Sequence, residues 1–348
     1  MRALEPHLPI LQVLVPLVGA LLSGLLRRGT TAWAFALLVT WICPIIAGWM
    51  LWKVLATGQP ISYLMGGWAV PWGIEYRVDV LNAFVLMLVT SVGAVIMPFA
   101  RRSVAHEIDS HQQAWFYTMY LLCLTGLLGI TVTGDAFNVF VFLEISSLST
   151  YVLIALGRNR RALLASYQYL IVGTIGATFY VIGIGLLYLV TGSLNIGDIA
   201  SRLGPASAEF SRPVLAALAF LTVGVCLKLA LFPLHVWLPN AYAYAPSVAT
   251  AFLAGTATKV AVYLLIRIFF SIFGVAISFK TLPIADLLLV MSVASMILAS
   301  LSAVFEDNAK RMLAYSSIAQ IGYITLGSPL PIRAASPAAL SISSITRS

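Results

Sequence analysis

Four side chains in this 348-residue chain have the types and positions needed to hand protons along: Glu144, Lys228, His235 and Lys259. Glu144 lies midway through AFNVFVFLEISSLSTYVLIAL, and Lys228 lies near the end of VLAALAFLTVGVCLKLALF. Lys259 is centred in SVATAFLAGTATKVAVYLLI. A charge at the middle of a membrane helix costs roughly 2.5–3.5 kcal/mol on insertion scales, so such a residue reads as a functional site with a partner. A carboxylate beside an ammonium keeps both ionised, whereas burial alone neutralises either. Glu144 and Lys228 are therefore a candidate switched pair. When they separate, the lysine is a destabilised cation that releases its proton, and Lys259 is an acceptor through water. The competing reading is a structural ion pair that fixes helix register. His235 reads equally as a relay or as a hydrogen-bonded loop residue.

The elements that must hold these groups are long apolar runs. The chain is 61% hydrophobic and 9% charged, against about 25% charged for a soluble domain, so it is an integral membrane protein. Runs long enough to span as helices fall near 8–26, 32–55, 80–99, 114–133, 136–156, 163–191, 213–232, 246–270, 284–304 and, marginally, 311–327. The first of these ends at Arg27-Arg28, where a signal peptide would need small residues, so a transmembrane helix is the better reading. Gly173, Gly176, Gly183 and Gly185 in the sixth run suit close helix packing.

A net charge of +8 points to topology rather than nucleic acid, because the basic residues fall in short loops. Arg27-Arg28, Arg101-Arg102, Arg158-Arg160-Arg161 and Lys310-Arg311 share one side if the helices alternate. That side goes to the cytoplasm, which predicts an outside N-terminus. Loop 56–79 reads as an outside loop with interfacial Trp and Tyr anchors and a short hairpin as its structured form. Loop 192–212 reads as polar and Ser-rich. Residues 328–348, with three prolines and many serines, read as a disordered tail. Cys43, Cys123 and Cys226 fit no zinc or redox spacing. No phosphate loop, dinucleotide fingerprint, haem or iron–sulfur pattern, or His/Asp metal cluster is present in the sequence, so no cofactor or metal is expected.

The seventh run carries the sharpest local signal. Lys228 is followed by LALFPLHVWLPNAYAYAPS, and Pro233 removes a backbone donor, so the helix must kink or break there. Pro239 and Pro246 repeat the interruption. Irregular backbone at membrane depth is tolerated only where protein or water covers it, and broken helices beside ionisable groups build the sites of many ion-coupled transporters. Tyr242 and Tyr244 read as interfacial anchors, and Lys310 and Arg311 as solvated loop charges following Glu306 and Asp307.

FNVFVFLEISSLSTYVLIAL, KLALFPLHVWLPNAYAYAPS, TKVAVYLLIR and DNAKRMLAYSSIAQIGY resemble, in order and spacing, the proton-translocating membrane subunits shared by Mrp-type cation/proton antiporters and respiratory complex I. HLPILQVLVPLVGALL and GIEYRVDVLNAF look most like the D subunit of the Mrp antiporter. The resemblance implies an all-α polytopic membrane protein of about ten transmembrane helices here, with the first five-helix inverted-repeat unit complete and the second truncated. It implies segments at 1–112 (three N-terminal helices), 113–272 (first repeat, with the broken seventh helix), 273–327 (start of the second repeat) and 328–348 (tail). It matches Glu144 to the family's fifth-helix glutamate, Lys228 to the lysine of the broken helix, and Lys259 to the central-axis lysine. His235 falls in the broken-helix motif.

The implied function is proton translocation in a multi-subunit monovalent cation (Na+)/proton antiporter of the bacterial plasma (inner) membrane, with other membrane subunits as partners. The alternatives are a pump subunit of an NADH:quinone oxidoreductase or membrane-bound hydrogenase, and a truncated, non-functional fragment. No redox or hydrolytic chemistry is expected from the chain alone, and no nucleic acid partner.

Overall fold

The structure is a computed structural model that describes residues 5–26, 28–209, 211–281 and 284–327. The tail proposed at 328–348 and Arg27 of the basic loop lie outside these residues. The described chain runs α1 (Leu8–Leu25), α2 (Gly29–Thr57), β1 (Ile61–Leu64), β2 (Glu75–Val78), α3 (Val80–Glu107), α4 (Gln113–Val132), α5 (Ala136–Ala155) and α6 (Arg161–Thr191). It continues with α7 (Ile196–Glu209), α8 (Ser211–Leu229), α9 (Trp237–Tyr244), α10 (Ser247–Ile266), a short turn α11 (Gly274–Ala276), α12 (Ile284–Val304) and α13 (Ala309–Gly327). π-helical turns at Arg267–Ile272 and Ile277–Thr281 flank α11. Two compact units emerge, one within Met1–Ile171 plus Asn240–Val260 and one within Val172–Pro239 plus Ala261–Ser348.

Among the described residues, nine helices are long and apolar enough to cross a membrane, so the protein is an all-α, multi-pass membrane protein. The tenth expected span, α13, forms as a helix. It falls short in apolarity because Lys310, Arg311, Ser316, Ser317 and Gln320 interrupt it.

Local chemistry explains where the helices start. Asp79 accepts the Asn82 N–H at 3.0 Å while the Asn82 side chain accepts the Asp79 N–H at 3.2 Å, a reciprocal cap that opens α3. Asp135 opens α5 by accepting the Asn138 N–H at 2.7 Å. Its carboxyl is pushed above the usual range by burial, against the backbone donors of Asn138 and Phe137. Gly58, at φ +64°, ends α2 in the left-handed conformation.

In the first unit, α4 is the enclosed helix. It packs on α1 and α5, and Tyr117, Tyr120, Leu121 and Leu124 are buried along it. The α4–α5 contact is backbone-close, since a Cβ on Gly126 would meet the Ser146 nitrogen at 2.5 Å. Loop 56–79 does fold into the hairpin: β1 pairs antiparallel with β2, Ile61 opposite Val78 and Leu64 opposite Glu75. Trp68 and Trp72 stay exposed, as interfacial anchors require.

Loop 192–212 is a correction. Most of it is helix α7 rather than irregular chain. Asn195 caps it through the Asp198 N–H at 3.1 Å, and Ile199 and Leu203, four residues apart, are both buried. Asp198 pairs with Arg202 at 2.9 Å. Hydrogen bonds from Ser193 and Arg202 hold its carboxyl below the usual range. In the second unit α6 meets α8 through glycines, with Gly176 against the Gly224 carbonyl and Gly183 against Leu221; Gly185 faces open space.

Candidate functional site

The break expected at Pro233 is present. Helix α8 ends at Leu229, residues 230–236 are non-helical, and α9 begins at Trp237. The termination has a specific form. Ala230 takes the left-handed conformation at φ +59°. Its N–H donates to the Leu227 carbonyl at 3.3 Å, and the Leu231 N–H donates back to Cys226 at 3.2 Å. This is the Schellman pattern that satisfies the last carbonyls of a helix. The Trp237 indole adds a donor to the Leu227 carbonyl at 3.1 Å.

Lys228 therefore sits in the last turn of α8, half-buried, where the negative end of the helix dipole favours a cation. Pro239 breaks nothing: it lies in the first turn of α9, where its missing N–H has no intrahelical acceptor to lose. Pro246 does mark a second interruption, at residues 245–246 between α9 and α10, and its carbonyl accepts the Thr250 N–H at 2.9 Å.

His235 lies inside the break. Its ring stacks on Phe232 at 5.3 Å between centroids and meets the edge of Tyr315 at 6.5 Å. Its Nδ1 is buried without a hydrogen-bond partner among the described residues, so a polar group is held at the break with unused capacity.

Lys259 is placed differently. Helix α10 runs through it without interruption, and its Nζ donates to the Ala254 carbonyl at 2.6 Å and to Thr258 Oγ1 at 3.3 Å. A carbonyl already used in the helix ladder has a second lone pair for this.

Glu144 is half-buried on α5. The hydroxyls that follow it donate into their own helix, and Thr150 also meets Cys123 Sγ at 3.4 Å. Ser147 donates to Leu143 at 2.7 Å, Ser149 to Ile145 at 2.6 Å and Thr150 to Ser146 at 2.7 Å. Glu144 and Lys259 belong to the first unit, Lys228 and His235 to the second.

The sequence reading missed a tyrosine group in the first unit. Tyr169 on α6 lies within electrostatic reach of Glu144 and Cys123, and its ring meets Tyr151 edge-on at 4.9 Å. Tyr242, expected at the interface, is instead 3% exposed and within electrostatic reach of Tyr169 and Cys123. Its hydroxyl has no hydrogen-bond partner among the described residues. The signal that could have found it is its place on a helix interrupted at both ends, which must be buried by protein if it lies at membrane depth. Tyr244 accepts from Arg161 at 3.3 Å, as an interfacial tyrosine does.

The arrangement offers acid–base groups on enclosed helices, one of them at a built helix end. Comparison with known proteins gives this geometry its family. Residues 133–340 match the family model described as "NADH:quinone oxidoreductase/Mrp antiporter, TM". A protein named as the N subunit of NADH-quinone oxidoreductase, from Desulforudis audaxviator, is 41% identical over 92% of this chain and 63% of its own length. A protein named as the D subunit of the Na(+)/H(+) antiporter, from Alkalihalophilus pseudofirmus, is 33% identical over 76% of this chain and 52% of its own. The chain thus spans between about half and two thirds of these relatives.

Among solved structures, a chain of the archaeal membrane-bound sulfane sulfur reductase superposes with a TM-score of 0.83 at 31% identity, covering 91% of this chain and 64% of its own. A chain of the Mrp complex from Dietzia gives 0.82 at 27%, covering 94% and 59%. Sequence motifs, helix order and fold agree, and the chain belongs to the NADH:quinone oxidoreductase/Mrp antiporter transmembrane family.

Proposed function

We propose that this chain is a proton-translocating membrane subunit of a multi-subunit monovalent cation (Na+)/proton antiporter, passing protons among Glu144, Lys228, His235 and Lys259. The observation that carries the proposal is the ending of α8 one residue after Lys228, by a backbone motif that closes the helix instead of continuing it. A cation at a helix end is stabilised by local dipoles that change when the end moves, so small movements of the 230–236 segment alter how firmly the lysine holds its proton. His235, whose buried Nδ1 has no hydrogen-bond partner among the described residues, is a relay group, and Lys259 is the next acceptor. The carboxylate of Glu144 stabilises the charged lysine in one state of the cycle.

The segments at 1–112, 113–272 and 273–327 are proposed as the accessory helices, the first repeat and the start of the second. The membrane is proposed to be a bacterial inner membrane, with the N-terminus outside on the distribution of arginines. Other membrane subunits are proposed as partners because structural neighbours include chains of the Mrp complex and the sulfane sulfur reductase complex.

A second reading, a pump subunit of an NADH:quinone oxidoreductase or membrane-bound hydrogenase, is favoured by one observation: the 41% identical relative is named as the N subunit of such an oxidoreductase. Flavin and iron–sulfur absorbance in the purified assembly would select that reading, and sodium-driven proton movement without them the first.

Both readings stand on the same lysine. Lys228→Ala in the intact assembly is expected to cut ion-driven proton transport in everted vesicles by about a hundredfold or more, the scale of a lost acid–base group, with membrane insertion unchanged. Undiminished transport would remove Lys228 from the path.

A further inference from the structure

A cavity of about 450 Å³ opens in the first unit where α2 begins, α3 ends and α4 begins, lined by Trp33, Arg101, Arg102, Gln113 and Tyr117 with Gly29 and Thr30. We propose that it binds the phosphate headgroup of an anionic phospholipid. The proton path uses none of these residues.

The chemistry of the lining is one-sided. Two arginines and, among the described residues, no carboxylate line it. Among the described residues neither Arg101 nor Arg102 has an ion-pair partner. Glu107, the acidic side chain closest in sequence on α3, is engaged elsewhere, accepting from Ser103 at 2.7 Å and from the Ser247 N–H at 2.7 Å. Arg101 is held in place, its guanidinium 5.2 Å from the centroid of the Trp33 ring. Trp33 in turn is fixed by donating its indole N–H to the Met97 carbonyl at 3.0 Å. A planar guanidinium fixed on an aromatic face loses little freedom when it takes two phosphate oxygens. The first residues of α2 add backbone donors to a space the arginines already define.

What selects a lipid over a free phosphate is the surface next to the cavity. Deeper along the same two helices, Leu38 and Trp41 of α2 and Val95 and Phe99 of α3 are exposed. The Trp41 indole bridges the helices by donating to the Ala94 carbonyl at 3.1 Å. A charged cavity at the end of two helices that expose apolar side chains further along matches a phosphate with acyl chains. Basic pockets at the cytoplasmic ends of membrane helices bind such headgroups.

The test is native mass spectrometry of the full chain, delipidated in a neutral detergent and titrated with phosphatidylglycerol, phosphatidylcholine or inorganic phosphate. Phosphatidylglycerol adducts are expected to be retained, and phosphatidylcholine adducts to be at least tenfold weaker. The double variant Arg101→Gln/Arg102→Gln is expected to weaken phosphatidylglycerol about thirtyfold, at roughly fivefold per basic group near an anionic headgroup. Arg158→Gln/Arg160→Gln, equally exposed but outside the cavity, should leave it unchanged. Arg101→Lys/Arg102→Lys, which keeps the charge and loses the fork, should fall between the two. The proposal is overturned if the Gln pair binds like the parent while eluting as the same species on gel filtration. It is equally overturned if the two lipids bind alike, or if inorganic phosphate displaces phosphatidylglycerol at equal concentration.

Discussion

Lys228 and Lys259 occupy the same local frame in two helices that treat them differently. Each follows a glycine by four residues, Gly224 and Gly255, so lysine and glycine share a helix face. On α8 that face meets backbone: a Cβ at Gly224 would lie 2.7 Å from the Gly176 carbonyl oxygen and 3.0 Å from the Tyr180 nitrogen. The helix then ends within two residues of its lysine. On α10 the face meets a side chain, with Val92 Cγ1 at 2.7 Å and its other atoms at 3.9 Å, and the helix continues. One lysine is compensated by a helix end, the other by the Ala254 carbonyl of its own ladder. In the proposed proton path this contrast becomes a division of labour: a lever with a movable tip at Lys228, and a station held in constant surroundings at Lys259.

The largest effect that can break this comparison is at the glycines. Gly224→Ala forces two backbones apart and is expected to cost about 2–3 kcal/mol, the upper part of the range for overpacked sites. Gly255→Ala asks only that Val92 turn, at about 1 kcal/mol, and recovers about as much from the better helix former. Thermal unfolding of the full chain in detergent should show a clear drop for the first and little change for the second. Equal shifts would mean the two lysine helices are held alike.

An intermediate effect is expected at the cap of α8. Trp237→Phe keeps an aromatic ring and removes the donor to the Leu227 carbonyl. That carbonyl retains the longer 3.3 Å bond from Ala230, so the loss should be about 1–2 kcal/mol. The comparison sharpens if Thr256→Val on α10, which loses a donation to the Phe252 carbonyl at 2.6 Å, costs clearly less. Such hydroxyls only share a carbonyl the helix already uses.

Much of this contrast was legible in the sequence, for reasons that also mark where legibility stopped. Apolar runs of spanning length can only be helices in lipid, so the spans followed from composition. Pro233 announced the break because it lacks the N–H a continuing helix needs. The means of ending α8 was not legible, because alanine is a poor residue for the left-handed position that Ala230 takes. Helix α7 was missed because two glycines, two serines and a proline punctuate it, while its buried stripe among the described residues is as narrow as Ile199 and Leu203. Tyr242 was assigned to the interface on residue type alone. Its burial depends on contacts between helices distant in sequence, which no local pattern carries. The glycine–lysine frame was visible in the letters, but the difference between a backbone and a side-chain neighbour is a property of packing.

The smallest effect probes the helix end most directly. Ala230 holds φ +59°, where a Cβ crowds the neighbouring carbonyl at a cost of roughly 1–2 kcal/mol, and glycine is the usual occupant of that position in a Schellman ending. Ala230→Gly removes the crowding but enlarges the freedom of the unfolded chain, which returns part of the gain. The expected net change is a stabilisation of about 0.5–1 kcal/mol, read as a rise in the unfolding midpoint. Its counterpart, Ala257→Gly on α10 two residues before Lys259, lies in an intact helix and should destabilise by about the same amount. Opposite signs at two alanines, one just after a lysine and one just before the other, are what a terminated and a continuous helix require. A loss of stability at both would show that α8 does not end at Lys228 in solution, and would take with it the movable tip on which the proposed release of the proton depends.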